Sequence, residues 1–415
     1  MPDPKHPPHP KGLRAKTDVL TRGFDPALSV GSARPAVFRS STYVFPSPEA
    51  AERAFDLVAG RARPEPGESV ALIYSRFNHP NAEILEAQIV PLEPGATAAL
   101  VFNTGMSAIM NALLAFLKPG AALVYTVPIY GGTQKLVQVF LELWGVRGVP
   151  VPAGRGDALD EAIRTTDGIG AVLIETPANP TLVMTDIARA CRAAASLAPR
   201  PAVLVDNTLL GPAFQHPLEL GADLVVYSAT KYLSGFSDLL GGVVLARDPE
   251  RLHRVKLLRN LFGTILQPDE CWILNSRLPT VELRMRRACE NAQRIAQGLA
   301  KHARIARVLY PTLFDDSAQC AIRDAQCTAA GAMLSLELHG GKSAAFDFLR
   351  RLQIARNAVS LGGVETLVCH PKTTTHSGFT EAEFAEAGVT DGLVRISIGI
   401  EDWRDLLQDF EQALG

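Results

Sequence analysis

Lys231 lies in the string Ser228-Ala-Thr-Lys-Tyr-Leu-Ser234, directly after the apolar run Leu224–Tyr227, and 25 residues before it Asp206 closes a second apolar run that starts at Ala202. A lysine amine condenses with an aldehyde, and an aspartate at a neighbouring strand end keeps a pyridine nitrogen protonated so that the ring can withdraw electrons. Taken singly, Lys231 is a surface lysine after a strand and Asp206 a turn residue. Taken with the flanking hydroxyls of Ser228 and Thr230 and with the further strings that follow, they point to a site for pyridoxal 5'-phosphate, with Lys231 forming the Schiff base.

Further residues fit the same chemistry. Thr104-Gly105-Met106-Ser107 follows an apolar run and opens a stretch of helix formers. A glycine turn entering a helix exposes free amides at the positive end of the helix dipole, which favours a phosphate. Tyr130, in Pro128-Ile-Tyr-Gly-Gly-Thr133, exits the next run, where an aromatic can stack on a flat ring and relay protons; an ordinary core tyrosine is the alternative. Glu175-Thr-Pro-Ala-Asn-Pro180 is a rigid turn that could hold Asn179 near the cofactor's ring oxygen, or a turn and nothing more, with Glu175 hydrogen-bonded to backbone. Tyr74-Ser-Arg76 lies in a loop, and an arginine fork suits phosphate. Arg395 sits inside the strand-like run Leu393-Val-Arg-Ile-Ser-Ile398. A charge there needs a partner, either a substrate carboxylate or an internal salt bridge.

These residues must be carried by a particular scaffold. Strand and helix signals alternate: Ala99–Asn103 then Ser107–Leu117, Ala122–Thr126 then Thr133–Trp144, Ala171–Glu175 then Ile187–Leu197, followed by Ala202–Asp206 and Leu224–Ser228. That rhythm predicts an α/β protein with a mostly parallel, doubly wound sheet. In such sheets ligands bind at the carboxyl ends of strands, where Asp206 falls and which Lys231 closely follows. A helical bridge interrupted at Pro279 leads to a smaller C-terminal α+β domain. Its strands are expected at Ala332–Leu338, Val359–Leu361, Thr366–Cys369 and Val394–Ile398, with helices at Ser343–Leu352 and Asp402–Leu414. The divisions expected are an N-terminal arm over 1–70, partly disordered and packed on another domain or subunit, a cofactor-binding domain over 71–262, the bridge over 263–303 and the small domain over 304–415.

Composition narrows the partners. The 415 residues are 47% hydrophobic and 20% charged with net charge −2, so no basic face recommends nucleic acid. No apolar run spans a membrane and the start has no signal-like core, which predicts a cytoplasmic protein. Six scattered cysteines suggest reduced thiols. His6 and His9 in the Pro-rich start lack the further ligands a metal needs, so no metal is expected.

Together these strings resemble the Cys/Met-metabolism family of pyridoxal phosphate enzymes, which includes cystathionine γ-synthase, cystathionine lyases, methionine γ-lyase and O-acylhomoserine sulfhydrylases. The resemblance runs from about Asp25 to the end. It is carried by YSR at Tyr74, TGM at Thr104, YGGT at Tyr130, ETPANP at Glu175, DNT at Asp206, SATKY at Ser228, SLGG at Ser360 and LVRISIGIED at Leu393. It implies the type I aminotransferase-like fold and a homotetramer built as a dimer of dimers, in which Tyr74 and Arg76 reach the neighbouring subunit's phosphate. It further implies that Gly105, Met106, Ser228 and Thr230 bind the phosphate, that Tyr130 and Lys231 handle protons, and that Arg395 with the Ser360 region holds the carboxylate of an amino-acid substrate.

Several positions depart from the family pattern. His79-Pro-Asn81 stands where Asn-Pro-Thr is usual, placing local contacts at the cofactor's edge in question, and Phe236 stands where His or Gln is commoner. Gly132 occupies the place of a cysteine in many methionine γ-lyases. Val359 stands where cystathionine-handling γ enzymes carry a glutamate for the distal amino group, a contact no apolar residue can make. The expectation is therefore an enzyme acting at the γ carbon, narrowly by methionine γ-lyase-like elimination, with γ-replacement on an O-acylhomoserine as the alternative. A non-catalytic binding module on the same fold is disfavoured by the intact Lys231, Asp206, Tyr130 and Arg395.

Overall fold

A computed structural model describes residues 12–63, 65, 68 and 71–415. His6, His9, Pro64, Pro66 and Gly67 lie outside the described residues. Seven strands form the main sheet: β1 Ala98–Phe102, β2 Ala122–Val127, β3 Arg147–Pro152, β4 Ile169–Glu175, β5 Ala202–Asp206, β6 Leu224–Ser228 and β7 Gly242–Ala246. Their spatial order is β1-β7-β6-β5-β4-β2-β3. β7 pairs antiparallel with both neighbours, and every other pairing is parallel.

Apart from the edge strand β3, the sheet is buried on both faces, which explains why those strands are continuous apolar runs. Leu100, Leu123, Leu173, Leu204 and Val226 enter one core with Ile109 and Leu113 of the helix Gly105–Leu114. Their alternates Val124, Val172, Val203 and Val205 pack on Ile187, Ala190 and Ala194 of the helix Ile187–Ala195. A period of two in strands and of three to four in helices produces this division.

The second sheet has β8 Ile305–Leu309, β9 Met333–Leu338, β10 Arg356–Asn357, β11 Leu367–Cys369 and β12 Leu393–Ser397, in the order β10-β11-β12-β9-β8. The helices Gly341–Arg351 and Trp403–Leu414 pack on it through Phe348, Leu406 and Phe410. Between the sheets, the helices Pro268–Arg277 and Val281–Leu299 are separated by one tight turn at Leu278–Thr280, where Pro279 removes a helical donor.

Several sequence expectations need correction. Val359–Leu361 is not a strand: the carbonyls of Val359 and Ser360 accept from the Arg395 guanidinium instead of a ladder, and Gly362 follows at φ +76°. The Thr133–Trp144 helix begins earlier, at Gly131, and turns π-helical over Leu136–Leu141. β3, β7, β8 and β10 are not anticipated by the sequence pattern. The arm is also less featureless than its periodicity suggests. Ser47 caps a helix Pro48–Val58 by accepting from the Ala50 amide at 3.2 Å, with proline at the first helical position. That helix buries Ala54 alone, so it has no core-forming stripe to betray it. The arm is tied to its own chain, Trp272 donating to the Pro35 carbonyl at 2.8 Å and Arg39 pairing with Asp269 at 2.6 Å.

Candidate active site

The parallel strands β2, β4, β5 and β6 end at one edge of the main sheet, beside the end of β1, and there they deliver Tyr130, Glu175, Asp206 and Ser228. Register sets their relative height, since Glu175 lies opposite Asp206 and Ser228 opposite Gly242. With Thr104, Gly105, Met106, Asn179, Thr208, Thr230 and Lys231 they line one cavity of about 290 Å³.

Asp206 is 8% exposed, and Oδ1 accepts from the Thr208 amide at 3.0 Å and the Thr208 hydroxyl at 2.6 Å. No ion pair to Asp206 occurs among the described residues. Burial pushes its pKa up despite both bonds. Glu175, its neighbour across β4–β5, is likewise raised by burial and then by Asp206, although it accepts from the Tyr130 amide at 2.9 Å and the Asn179 amide at 3.2 Å. Two buried acids with no cation between them make a poor empty site and a good seat for a protonated ring nitrogen.

The same cavity is lined by a helix N-terminus. The Thr104 hydroxyl caps the helix Gly105–Leu114 by accepting from the Ser107 amide at 3.0 Å, leaving the first-turn amides of Gly105 and Met106 without helical partners. A Cβ at Gly105 would stand 2.9 Å from both Cβ and Oγ of Ser228, so only glycine lets the helix end meet that serine. The donor set, amides with the hydroxyls of Ser228 and Thr230, fits a phosphate.

Lys231 follows β6 in a turn. Its Nζ donates to Ser360 Oγ at 3.0 Å, and burial, with Arg395 as a lesser cause, lowers its pKa to about 8. The amine is thus readily neutral, as a nucleophile or proton carrier must be. The residues present fit pyridoxal phosphate at every part: ring nitrogen on Asp206, phosphate on the helix end, aldehyde near Lys231.

Arg395 on β12 is 2% exposed. It donates to Asn179 Oδ1 at 3.2 Å and to the carbonyls of Val359 at 2.7 Å and Ser360 at 3.2 Å, and no carboxylate pairs with it among the described residues. The internal salt bridge that the sequence left open is therefore absent among them. Val359 and Ser360 line a second cavity of about 600 Å³, a vestibule that shares Tyr130, Thr230, Lys231 and Leu240 with the first.

Tyr74 and Arg76 are not brought to this place. They line a separate cavity with Arg39, Gly263 and Asp269, where Arg76 donates to the Asn260 carbonyl at 2.7 Å. Two of the departures prove to be structural. His79 caps the helix Pro80–Ile89 through Nδ1 and bonds the Leu266 carbonyl through Nε2 at 2.9 Å, and Asn81 ties Ala36 and Phe38 of the arm. Neither residue lines the cavity of its own chain. Phe236 is flanked by the guanidinium groups of Arg277 and Arg284 at 4.7 and 5.7 Å. At Gly132 a Cβ would lie 2.6 Å from the Tyr130 ring, so a cysteine there would require that ring to move.

Sequence reasoning missed Thr208, which holds Asp206, and the segment Thr374–Phe379, which forms a vestibule wall. Thr208 was within reach in Asp-Asn-Thr, where a hydroxyl two residues after a buried acid commonly folds back on it.

A family model for Cys/Met metabolism PLP-dependent enzymes matches residues 16–415. The chain is 37% identical to the L-methionine gamma-lyase of Pseudomonas putida and 36% identical to the cystathionine gamma-synthase of Mycobacterium tuberculosis, each over 96% of both chains. Among solved structures, cystathionine gamma synthase from Xanthomonas oryzae pv. oryzae in complex with cystathionine superposes with a TM-score of 0.87 at 34% identity, covering 97% of this chain and 98% of that one.

Proposed function

The chain belongs to the Cys/Met metabolism PLP-dependent enzymes, and from that premise we propose that it acts at the γ carbon of a sulfur amino acid, releasing a thiol from methionine or homocysteine. The observation that carries this reading is the composition of the vestibule. Val359, 56% exposed, and Leu240 form its apolar side, and no carboxylate lines it among the described residues. A substrate with a distal ammonium, such as cystathionine, would leave that charge without a partner, whereas a methyl thioether needs only apolar contact.

Pyridoxal phosphate, when bound, supplies a carbonyl for the substrate amine and a protonated ring that stores the charge left at Cα. The chain's residues do the rest. Arg395 holds the α-carboxylate in a two-pronged grip, aligned by Asn179 and the backbone of Val359 and Ser360. Lys231 takes the Cα proton. It and Tyr130 then move the Cβ proton and protonate the departing sulfur. Asp206, backed by Thr208, would keep the ring nitrogen protonated, and Ser228, Thr230, Gly105 and Met106 would hold the phosphate. Tyr74 and Arg76 serve the site of a second subunit, which accounts for their place on a separate, open face. We assign the assembly as a tetramer of two such dimers, in the cytoplasm, where the six unpaired cysteines stay reduced.

A second reading is γ-replacement on an O-acylhomoserine. Lys135 favours it, for this lysine lines the vestibule without an ion pair among the described residues and could meet the terminal carboxylate of a succinyl group. Incubating the purified holoenzyme with methionine should give methanethiol, ammonia and 2-oxobutyrate. Turnover of O-acetyl- or O-succinylhomoserine with cysteine or sulfide, and none of methionine, would replace the first reading with the second.

A further inference from the structure

His376 is the one buried histidine in the vestibule wall, 1% exposed, and the chemistry above leaves it unused. Its Nδ1 lies 2.8 Å from Thr375 Oγ1 and its Nε2 lies 3.0 Å from the Asn179 carbonyl oxygen. A carbonyl only accepts, so Nε2 carries the proton and Nδ1 accepts from the threonine hydroxyl. Burial, and then the nearby Arg395, pushes the ring's pKa down to about 4, in keeping with one neutral tautomer. The ring also stands edge-on to Phe379 at 5.1 Å.

The histidine's partner is what gives this bond its meaning. Asn179 has its amide proton on Glu175 Oε1 and its side-chain oxygen on Arg395 Nη1. Its carbonyl is held by His376 alone among the described side chains. The residue is therefore clamped at three points, and two of them, Arg395 and His376, come from the second sheet's side of the molecule. Without that clamp, the carbonyl of a buried residue would lose its donor, and the Asn179 peptide could tilt between its neighbours, which stay tied by Ser335 on the Pro180 carbonyl and by the Ala178 amide on Val183, each at 2.8 Å. Asn179 Oδ1 would tilt with it, and the guanidinium would lose its lateral guide.

We propose that His376 is a positioning residue for carboxylate recognition: by donating to the Asn179 carbonyl it fixes the asparagine that orients Arg395, and it also pins the vestibule wall Thr374–Phe379 to the cofactor cavity. It moves no proton. The inference rests on Arg395 being the partner of the substrate carboxylate, so the test separates the two.

Norleucine and pentylamine differ by the carboxylate alone, and neither carries a γ leaving group. Their dissociation constants can be read on the holoenzyme from the visible absorbance of the cofactor. His376→Leu should weaken norleucine about tenfold and leave pentylamine within about twofold, because one buried hydrogen bond governs the orientation of the carboxylate's partner. His376→Gln, whose amide can still donate, should recover most of the loss. Should the leucine variant fail to fold, His376→Asn, too short to reach the carbonyl, carries the same comparison. Equal weakening of both ligands, or no weakening of norleucine, overturns the inference. Arg395→Leu is the control: if it fails to separate the two ligands, the reading of Arg395 falls. If it separates them and the His376 variants do not, the histidine's role alone falls.

Discussion

The inner cavity and the vestibule share Tyr130, Thr230, Lys231 and Leu240, yet they are built by different means. The inner wall is made of strand ends, and the ladder that holds Glu175 opposite Asp206 also fixes where each carboxylate points. The outer wall joins the helix that starts at Gly131 to two loops, 359–360 and 374–379, and the loops are held by the side chains of Arg395 and His376. Backbone register cannot be altered by one substitution, whereas a side-chain tether can. On the proposed function, reaction chemistry sits on the rigid part and substrate choice on the part that single residues can change.

The sharpest way to break that division is to disarm the inner wall without disturbing its packing. Asp206→Asn keeps shape and the bonds to Thr208 but cannot hold a ring nitrogen protonated. Turnover should fall about a hundredfold or more, while the apoenzyme melts no lower than the parent. The sign follows from the raised pKa of Asp206. A buried acid whose folded pKa exceeds its unfolded value of about 4 loses stabilisation as pH rises, so the melting advantage of the asparagine should grow as pH rises above about 4. Activity within tenfold of the parent would remove Asp206 from its role.

Next in size is a test of where the inner wall ends. Arg76→Ala and Lys231→Ala should each be nearly inactive. Subunits of the two, mixed and reassembled, should recover about a quarter of parental activity, since half of randomly paired dimers are mixed and each then has one intact site of two. No recovery would mean that Arg76 serves its own subunit.

The same contrast governs how much was legible in the sequence. The strands β5 and β6 are predicted to the residue because they are apolar on both faces and end in a polar residue, Asp206 or Ser228. Gly105, Tyr130, Asp206 and Lys231 are legible together because each falls at, or within a few residues of, the end of such a run. β7 was not, since its reversed direction breaks the alternation of strand and helix. The vestibule was hardest. Nothing in the sequence near Val359 signals that its carbonyl belongs to Arg395, 36 residues later, and the polar run Lys372–Ser377 has no period that separates a wall from a surface loop.

On the outer wall, Val359→Glu should exchange substrates rather than abolish turnover. Its side chain is exposed, so folding should be untouched. With a carboxylate in the vestibule, kcat/KM for methionine should fall about tenfold and cleavage of cystathionine should rise by a similar factor. Unchanged selectivity would show that the distal group of the substrate lies elsewhere, for instance beside Lys135 and Gln138.

The smallest effect tests whether the two walls are electrostatically independent. Lys231 is held down to about 8, mainly by burial and secondarily by Arg395, the residue that tethers the outer loop. A lowered value means the neutral amine prevails above about pH 8, so the rate at which apoenzyme captures pyridoxal phosphate should rise with pH and level off just above that point. A free lysine would level off above about 10.4. Arg395→Leu removes the lesser cause and should move the midpoint upward by less than about one unit, as suits one partly screened charge, while Arg395→Lys, which keeps the charge, should leave it in place. Stopped-flow absorbance at a series of pH values reads all three. If the leucine variant leaves the midpoint unmoved, the guanidinium acts on the outer loop alone, and the inner amine owes its reactivity to the apolar strand ends that bury it.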